Sequence, residues 1–371
     1  MKFQVQSSEL QKALAKTINV VPTRSTLPIL ENLLFEVHSN NLKITATDLE
    51  ISVAVSIQIK GNENGTIAIP AKRIFDTVRA LPDTPISFSV DTESNKIKMK
   101  TENGEYTLIG ETTDVFPSIP EFKGETEFVT AAPLLQQIID KTTFAVSTDE
   151  LRPSMMGVLF QIGENKLVAV STDGHRLVKI INKNFSSKKI SKEVIIPAKA
   201  LNLIGKVAEG AETKISINET HIVFKYEGVS LISRLIEEKY PNFDTVIPQN
   251  NNKYLIVNKY EILQSVRRVS LYSNSTTHQI RMSLMKDEVK ITAEDQDFGS
   301  EAKETISCDY NDEEMEIGFN SAYILDILTH IDGDEIQFNL SSSNKASIVV
   351  PRVQKEGEEM LMLVMPVRLN N

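Results

Sequence analysis

The sequence repeats itself three times. A strand ending in an acidic turn occurs as Leu42-Lys43-Ile44-Thr45-Ala46-Thr47-Asp48, as Leu167-Val168-Ala169-Val170-Ser171-Thr172-Asp173 and as Val289-Lys290-Ile291-Thr292-Ala293-Glu294-Asp295; the aspartates lie 125 and 122 residues apart. A strand running straight into a helix occurs as Ile67-Ala68-Ile69-Pro70-Ala71-Lys72 and, 127 residues on, as Val194-Ile195-Ile196-Pro197-Ala198-Lys199. The third copy, Met315-Glu316-Ile317-Gly318-Phe319-Asn320, lacks the proline but keeps the layout. An apolar residue or Tyr precedes a proline near each unit's end, at Phe116-Pro117, Tyr240-Pro241 and Met365-Pro366. Three landmarks in one order at one period define three tandem units.

That period excludes a solenoid, whose repeats run about 20–50 residues. Each unit is long enough to bury its own core. The expected domains are residues 1–125, 126–250 and 251–371. Their seams, residues 118–124 and 247–252, are polar and rich in Pro, Gly or Asn, as short linkers are.

Each unit opens with an amphipathic helix. Its stripe is Leu10, Leu14 and Ile18 in the first, Leu134, Leu135, Ile138 and Ile139 in the second, and Ile262, Leu263, Val266 and Val269 in the third. Alternating strands follow, such as Ile51–Ile57. A second helix carries Ile74, Phe75, Val78 and Leu81, then Leu201, Ile204, Val207 and Ala208, then Ile324, Leu325, Ile327, Leu328 and Ile331. Further strands close the unit, for example Thr213–Ile217 and Ile222–Tyr226. Two helices packed on antiparallel sheets, three times over, is an α+β architecture.

Charge is segregated in this pattern. The chain carries −10 in all. The six expected helices, residues 8–20, 71–81, 131–145, 198–209, 258–269 and 320–331, together carry +5, leaving −15 for the rest. Six helices with this net positive charge, if they share one side, would attract a polyanion that the remainder repels. With no tryptophan and 6% aromatic residues, a platform for stacked single-stranded bases is disfavoured. Cys308 stands alone, which excludes an intrachain disulfide and a cysteine zinc site and fits a reducing cytosol. The first residues form no apolar signal segment, and the longest apolar stretch, Met360–Val367, falls short of the roughly 18 residues a membrane span needs. A soluble cytoplasmic protein without a membrane partner is expected.

Catalytic signatures are missing. No Gly-x-x-x-x-Gly-Lys-Ser/Thr loop, Gly-x-Ser-x-Gly elbow or His-Glu-x-x-His helix occurs, and His38, His175, His221, His278 and His330 are scattered. The alternative worth keeping is a metal-dependent hydrolase using Asp173, His175, Asp295 and Asp297. Against it, of the counterparts Asp48-Leu49-Glu50 and Asp173-Gly174-His175 the latter has lost the second acid of Asp295-Gln296-Asp297, so the position tolerates that loss within this chain. The charge run Asp309–Glu316 reads as a solvated loop. Thr172-Asp173-Gly174-His175-Arg176-Leu177 differs from its sister turns by Gly-His-Arg, and a turn that alone departs from the repeat points to a binding surface there.

Ala-Thr-Asp-Leu-Glu at 46–50, Ser-Thr-Asp-Gly-His-Arg-Leu at 171–177, Tyr-Pro-Asn-Phe at 240–243 and Val-Met-Pro-Val-Arg-Leu at 364–369, set in a threefold repeat, resemble the bacterial DNA polymerase III beta subunit, the replicative sliding clamp. The resemblance covers the whole chain. It implies the DNA-clamp fold, a head-to-tail homodimeric ring around duplex DNA, a non-catalytic processivity factor and no cofactor or metal. It implies partners that bind through short peptides: the replicative polymerase subunit, the clamp loader, translesion polymerases, mismatch-repair and ligase proteins, met in the cytoplasm and at the nucleoid during replication. Carried over by position, the DNA-facing residues are Arg24, Arg73, Arg79, Lys199 and Arg152, although the loop Leu151-Arg152-Pro153-Ser154 lacks the aromatics of some relatives. The subunit interface sets Tyr106 and Leu108 against Leu271 and Tyr272. The partner-peptide pocket comprises Met155, Thr172, Gly174, His175, Arg176, Leu177, Pro241, Val246, Asn320, Tyr323, Met365, Pro366, Val367 and Arg368. There Leu177, Val246, Met155 and Met365 would form apolar walls, and Arg176 and Arg368 would hydrogen-bond the ligand at the rim.

Overall fold

The computed structural model describes residues 1–119, 122–187, 190–207 and 210–369. Pro120 and Glu121 of the first seam, and Ala208 and Glu209 of the fourth expected helix, lie outside the described residues. The helices are α1 (Ser7–Thr17), α2 (Ala71–Ala80), α3 (Ala132–Thr142), α4 (Ala198–Val207), α5 (Lys259–Ser270) and α6 (Ser321–His330). Their stripes face the core: Leu10 and Leu14, Ile74 and Val78, Leu201 and Ile204, Ile262 and Val266, Ile324 and Leu328 are all inaccessible to water. Ile18, Leu81 and Ile331 sit one residue past their helices, at the C-cap. None of the described helices is long and apolar enough to cross a membrane.

By compactness the chain divides into two units, residues 1–136 with 199–235 and residues 137–198 with 236–371. This division passes through α3 and the start of α4. In the first unit, a five-stranded sheet runs in the order Lys60–Glu63, Lys2–Gln6, Pro85–Asp91, Lys96–Lys100, Glu105–Ile109. An eight-stranded sheet runs Thr126–Ala131, Glu212–Ile217, His221–Tyr226, Val229–Arg234, Ile51–Gln58, Asn41–Thr47, Asn32–His38, Gly65–Pro70. In the second unit, an eight-stranded sheet runs Lys192–Pro197, Gly157–Ile162, Leu167–Thr172, Arg176–Asn182, Glu358–Val364, Ser347–Pro351, Glu335–Leu340, Lys253–Asn258. A four-stranded sheet runs Ser300–Ser307, Glu288–Asp295, Gln279–Met285, Met315–Asn320. Every pairing is antiparallel, as hairpin-linked strands require.

Both eight-stranded sheets are made the same way. Four strands of one repeat meet four of the next: Leu231 pairs with Val53 in the first unit and Met362 with Val178 in the second. Two strands find no such neighbour among the described residues, and both are sheet edges: Glu105–Ile109 in the first repeat, which matches Val229–Arg234 and Glu358–Val364, and Ser300–Ser307 in the third, which matches Ile51–Gln58 and Arg176–Asn182.

Two expectations need correction. The third landmark is not structurally equivalent across the repeats. Isolated bridges join Ala68 to Glu111, Ile195 to Ile236 and Gly318 to Val367. Phe116-Pro117 and Tyr240-Pro241 follow the bridged residue, whereas Met365-Pro366 precedes it. The charge run Asp309–Glu316 is not simply a solvated loop. Tyr310 is fully buried there, and its hydroxyl donates to the Glu313 carbonyl, so an aromatic anchor fixes the acidic stretch before the strand Met315–Asn320 begins. Burial, with repulsion from Asp312 and Glu313, pushes the Tyr310 phenol up to about 12.

Candidate functional site

The acidic turn is built by local hydrogen bonds. In the second repeat, Asp173 Oδ1 accepts from the His175 N–H at 2.8 Å and the Arg176 N–H at 3.0 Å. Thr172 Oγ1 accepts from the Gly174 N–H at 3.1 Å and donates to the Arg176 carbonyl at 2.6 Å. Short oxygen side chains at these positions are what closes such a turn. Gly174 sits at φ +91°, a conformation that glycine takes without strain. The first repeat has the same geometry: the Glu50 and Ile51 N–H groups donate to Asp48 Oδ1 at 3.0 and 2.7 Å, with Leu49 at φ +79° in the glycine's place.

Arg176 is the hub of the site and departs from expectation. Instead of lying at the rim for a ligand, it is 9% exposed and each of its three guanidinium nitrogens donates within the chain. Nε donates to Asp173 Oδ2 at 3.0 Å, Nη2 to the Phe144 carbonyl at 2.6 Å, and Nη1 to Asp326 Oδ2. Its carbon lies 4.8 Å from the Tyr323 ring centre and 5.3 Å from that of Phe144. A planar fork with fixed donors can serve three acceptors and two rings at once, which an ammonium cannot. The turn is thereby tied to α6, on which Asp326 is the one Asp, Glu, Lys or Arg. Burial and the nearby Asp173 carboxylate push the Tyr323 phenol up, against the pull of Arg176.

Several expected pocket residues converge here. The His175 ring stacks near Tyr323, with centroids 6.0 Å apart. The Met365 N–H donates to the His175 carbonyl at 2.8 Å, and the Val367 N–H to the Gly318 carbonyl at 2.9 Å, so Met365, Pro366 and Val367 lie along this surface. The Asn320 side chain is occupied as the cap of α6, accepting from the Ala322 N–H at 2.9 Å. Leu177 is 2% exposed and packs with Tyr240, Phe243 and Leu363, forming a buried floor rather than an open wall. Burial also raises the Tyr240 phenol. Val246 is 54% exposed and Pro241 is exposed beside these anchors. Met155 is half-buried, joined to the loop by hydrogen bonds with Arg152 and Ser147, and Arg368 is exposed. A groove of about 610 Å³ adjoins the floor, lined by Lys179, Ile181, Ile247, Val350 and Leu361 among others, and none of the expected pocket residues lines it.

Sequence reasoning missed Phe144, Gly318 and Asp326. Only Asp326 carried a signal, as a lone carboxylate on an otherwise apolar helix.

The expected DNA-facing residues fall into two groups. Arg24 and Arg73 are exposed and have no ion-pair partner among the described residues. The others are matched internally: Lys199 binds Asp48 Oδ2, Arg79 binds Asp76 at 3.1 Å, and Arg152 binds Asp149 at 2.8 Å. Arg152 also donates to the Asp173 carbonyl at 3.3 Å, which sets it against the acidic turn. The helix charge is therefore weaker than its formal sum. Lys141 with Asp332 and Arg268 with Glu304, acids outside the helices, reduce it further, whereas Glu9 and Asp76 are already counted in that sum. Of the expected interface residues, Leu271 is 81% and Tyr272 46% exposed, while Tyr106 and Leu108 are half-buried on the open edge Glu105–Ile109. The hydrolase alternative finds no support. Among the described residues no group of three or more His, Cys, Asp or Glu could hold a metal, and Asp173 and Asp295 are each used to close their own turns.

Comparison with solved structures gives the class. The chain superposes over its full length, and theirs, on a DnaN sliding clamp (DNA polymerase III subunit beta) from Pseudomonas aeruginosa bound to griselimycin, at 30% identity and a TM-score of 0.92. It does so on one from Bartonella birtlesii bound to griselimycin, at 31% and 0.93, and on the DNA polymerase sliding clamp of Bacillus subtilis, at 26% and 0.93. The fold is that of a sliding clamp. Family models for the N-terminal, central and C-terminal domains of the DNA polymerase III beta subunit match residues 1–120, 131–242 and 244–368. The beta sliding clamps of Vibrio cholerae and Chlamydia pneumoniae are each 30% identical over the whole of both chains. The chain belongs to the DNA polymerase III beta subunit family, and its function is that of a processivity clamp in DNA replication.

Proposed function

We propose that two copies close head to tail into a ring around duplex DNA, each contributing three domains at residues 1–125, 126–250 and 251–371. The observation that carries this is the pair of open edges. The repeats join sheets at two places within the chain, and the third join of the same kind, Glu105–Ile109 to Ser300–Ser307, is available only to a second copy. Unpaired strand edges are stable when another chain covers them. Tyr106 and Leu108 would then meet Leu271 and Tyr272.

Arg24 and Arg73 would face phosphate, with Arg79, Lys199 and Arg152 adding charge already moderated by internal acids. A weakly basic lining suits a protein that must slide, because phosphate contacts position without reading sequence. The subunit catalyses nothing itself. It works in the cytoplasm, at the nucleoid during replication, as an accessory to the polymerase.

Partners would bind by short peptides at the surface formed by the turn 172–177, Pro241, Val246, Tyr323 and the C-terminal Met365–Arg368, with Met155, Thr172 and Asn320 alongside. The reading extends to the replicative polymerase, clamp loader, translesion polymerases, mismatch-repair and ligase proteins. A few buried apolar side chains, each worth about 1.5–3 kcal/mol, give reversible binding suited to exchange. The test is retention on DNA: protein loaded on a closed circle should stay and should slide off once the circle is cut. Release from the closed circle at the same rate would refute encirclement.

A further inference from the structure

We propose that Gly318 is a positioning residue of the partner site: it lets the C-terminal segment press onto the strand Met315–Asn320 and so fixes one side of the proposed peptide-binding surface. This rests on the peptide-site reading above. Ala68, Ile195 and Gly318 occupy one position in the three repeats. Each lies on the strand that runs into the repeat's second helix and forms a single bridge to the chain leaving the last strand. Two of the three carry a side chain, so the bridge itself does not demand glycine.

The third copy differs in how closely the leaving chain approaches. A Cβ on Gly318 would stand 2.8 Å from the Val367 carbonyl oxygen, 2.7 Å from Leu369 Cδ2 and 3.1 Å from Val367 Cγ2. Leu369 could swing aside, but the carbonyl is main chain and could not. In the first two repeats the close approach is met by glycines elsewhere. Gly110, on the leaving chain, faces the Ala68 carbonyl, and Gly157, on the neighbouring strand, faces Ile195, Ile196 and Ile236. Only in the third copy does the glycine stand at the bridged position itself.

The consequence is a segment tied at two points. The Val367 N–H is held by the Gly318 carbonyl, and the Met365 N–H by the His175 carbonyl. Between them Pro366 has a fixed φ and no N–H. The depth and direction of the Met365 and Val367 side chains are thus set from both sides, by the acidic turn and by the strand edge. A methyl at Gly318 would lift the Val367 end and leave the His175 end in place.

The experiment compares wild type with Gly318→Ala as the full-length dimer. A fluorescent peptide containing Gln followed by Leu and Phe is titrated by anisotropy, and amide hydrogen exchange is followed at Val367. The expected result is a peptide affinity weaker by about tenfold or more, faster exchange at Val367, and unchanged sedimentation. Equal affinity for the two proteins overturns the proposal while leaving the peptide site intact. Weaker affinity with unchanged exchange at Val367 also overturns it, because the loss would not pass through the tie. No binding by wild type refutes the peptide site and this inference with it. If Gly318→Ala does not fold, an amide-to-ester replacement at Val367, which removes the same N–H and keeps the side chain, must give the same loss.

Discussion

Lys199 stands to Asp48 as Arg176 stands to Asp173. In the first two repeats a cation binds Oδ2 of the aspartate whose Oδ1 closes the acidic turn. The first pair is a single ammonium on an exposed side chain; the second is a buried fork with two further acceptors. One motif thus yields a modest surface ion pair in the first copy and a buried hydrogen-bonding hub in the second.

Because Lys199 is already matched, Arg24 and Arg73, which have no ion-pair partner among the described residues, should dominate contact with DNA. Reversing Arg24 and Arg73 to Glu should shorten retention on closed circular DNA, most at low salt, where phosphate attraction is least screened. Lys199→Glu alone should add little to that loss. It should lower thermal stability slightly by setting a second carboxylate against Asp48, an effect of about 1 kcal/mol or less at an exposed position. Unchanged retention for the Arg24 and Arg73 double variant would count against their facing DNA.

The subunit interface is tested by a charge in an apolar contact. Leu271 is exposed in the single chain, so Leu271→Asp should leave the fold intact and turn a sedimenting dimer into monomer. Leu108→Asp should do the same with some loss of stability, since that side chain is half-buried. A dimer that persists in both variants places the interface elsewhere.

Arg176 should matter to the fold as well as to binding. Arg176→Ala removes the guanidinium donor to Asp173 Oδ2, Asp326 and the Phe144 carbonyl; Asp173 keeps two main-chain donors and Asp326 is partly open to water, so the cost should be about 1–3 kcal/mol. Arg176→Lys should recover little, because one ammonium cannot reproduce the fork. Both variants should bind peptide weakly. Urea unfolding and anisotropy check the two effects, and a variant with wild-type stability and lost binding would return Arg176 to a direct role at the ligand.

Asp332 should make the protein sensitive to acid. Burial raises its carboxyl, but the ammonium groups of Lys141 and Lys355 more than offset this, so it is held below the usual carboxylate value. A depressed folded value stabilises the chain above the unfolded value of about 4 and loses that contribution as pH falls through the folded one. Asp332→Asn should therefore be less stable at neutral pH and should lose less stability on acidification. Unfolding curves between neutral and acid pH decide it: parallel losses in both proteins would remove Asp332 from the acid response.

The repeat, the six helices and the alternating strands were legible because each is a local pattern. Stripes such as Leu10 with Leu14 or Ile262 with Val266 follow from helical period alone, and the Thr-Asp turns close through neighbours two and three residues away. The glycine at 174 announced its turn in the same way. The resemblance to a known family then supplied site positions that no local pattern contains.

What the residues alone could not reveal was which polar groups would already be spoken for. Arg176 read as a rim arginine because its partners, Phe144 and Asp326, lie 32 and 150 residues away. Lys199 read as a free cation although Asp48 lies 151 residues before it. The buried anchor Tyr310 was masked by the acids around it, and the need for glycine at 318 exists only where Val367 folds back upon it. The sequence by itself determined the periodicities and the turns, since these depend on the order of neighbouring side chains. Only the tertiary structure decided which charges cancel, which side chain becomes floor rather than wall and which edges stay open, because those depend on distances between residues remote along the chain.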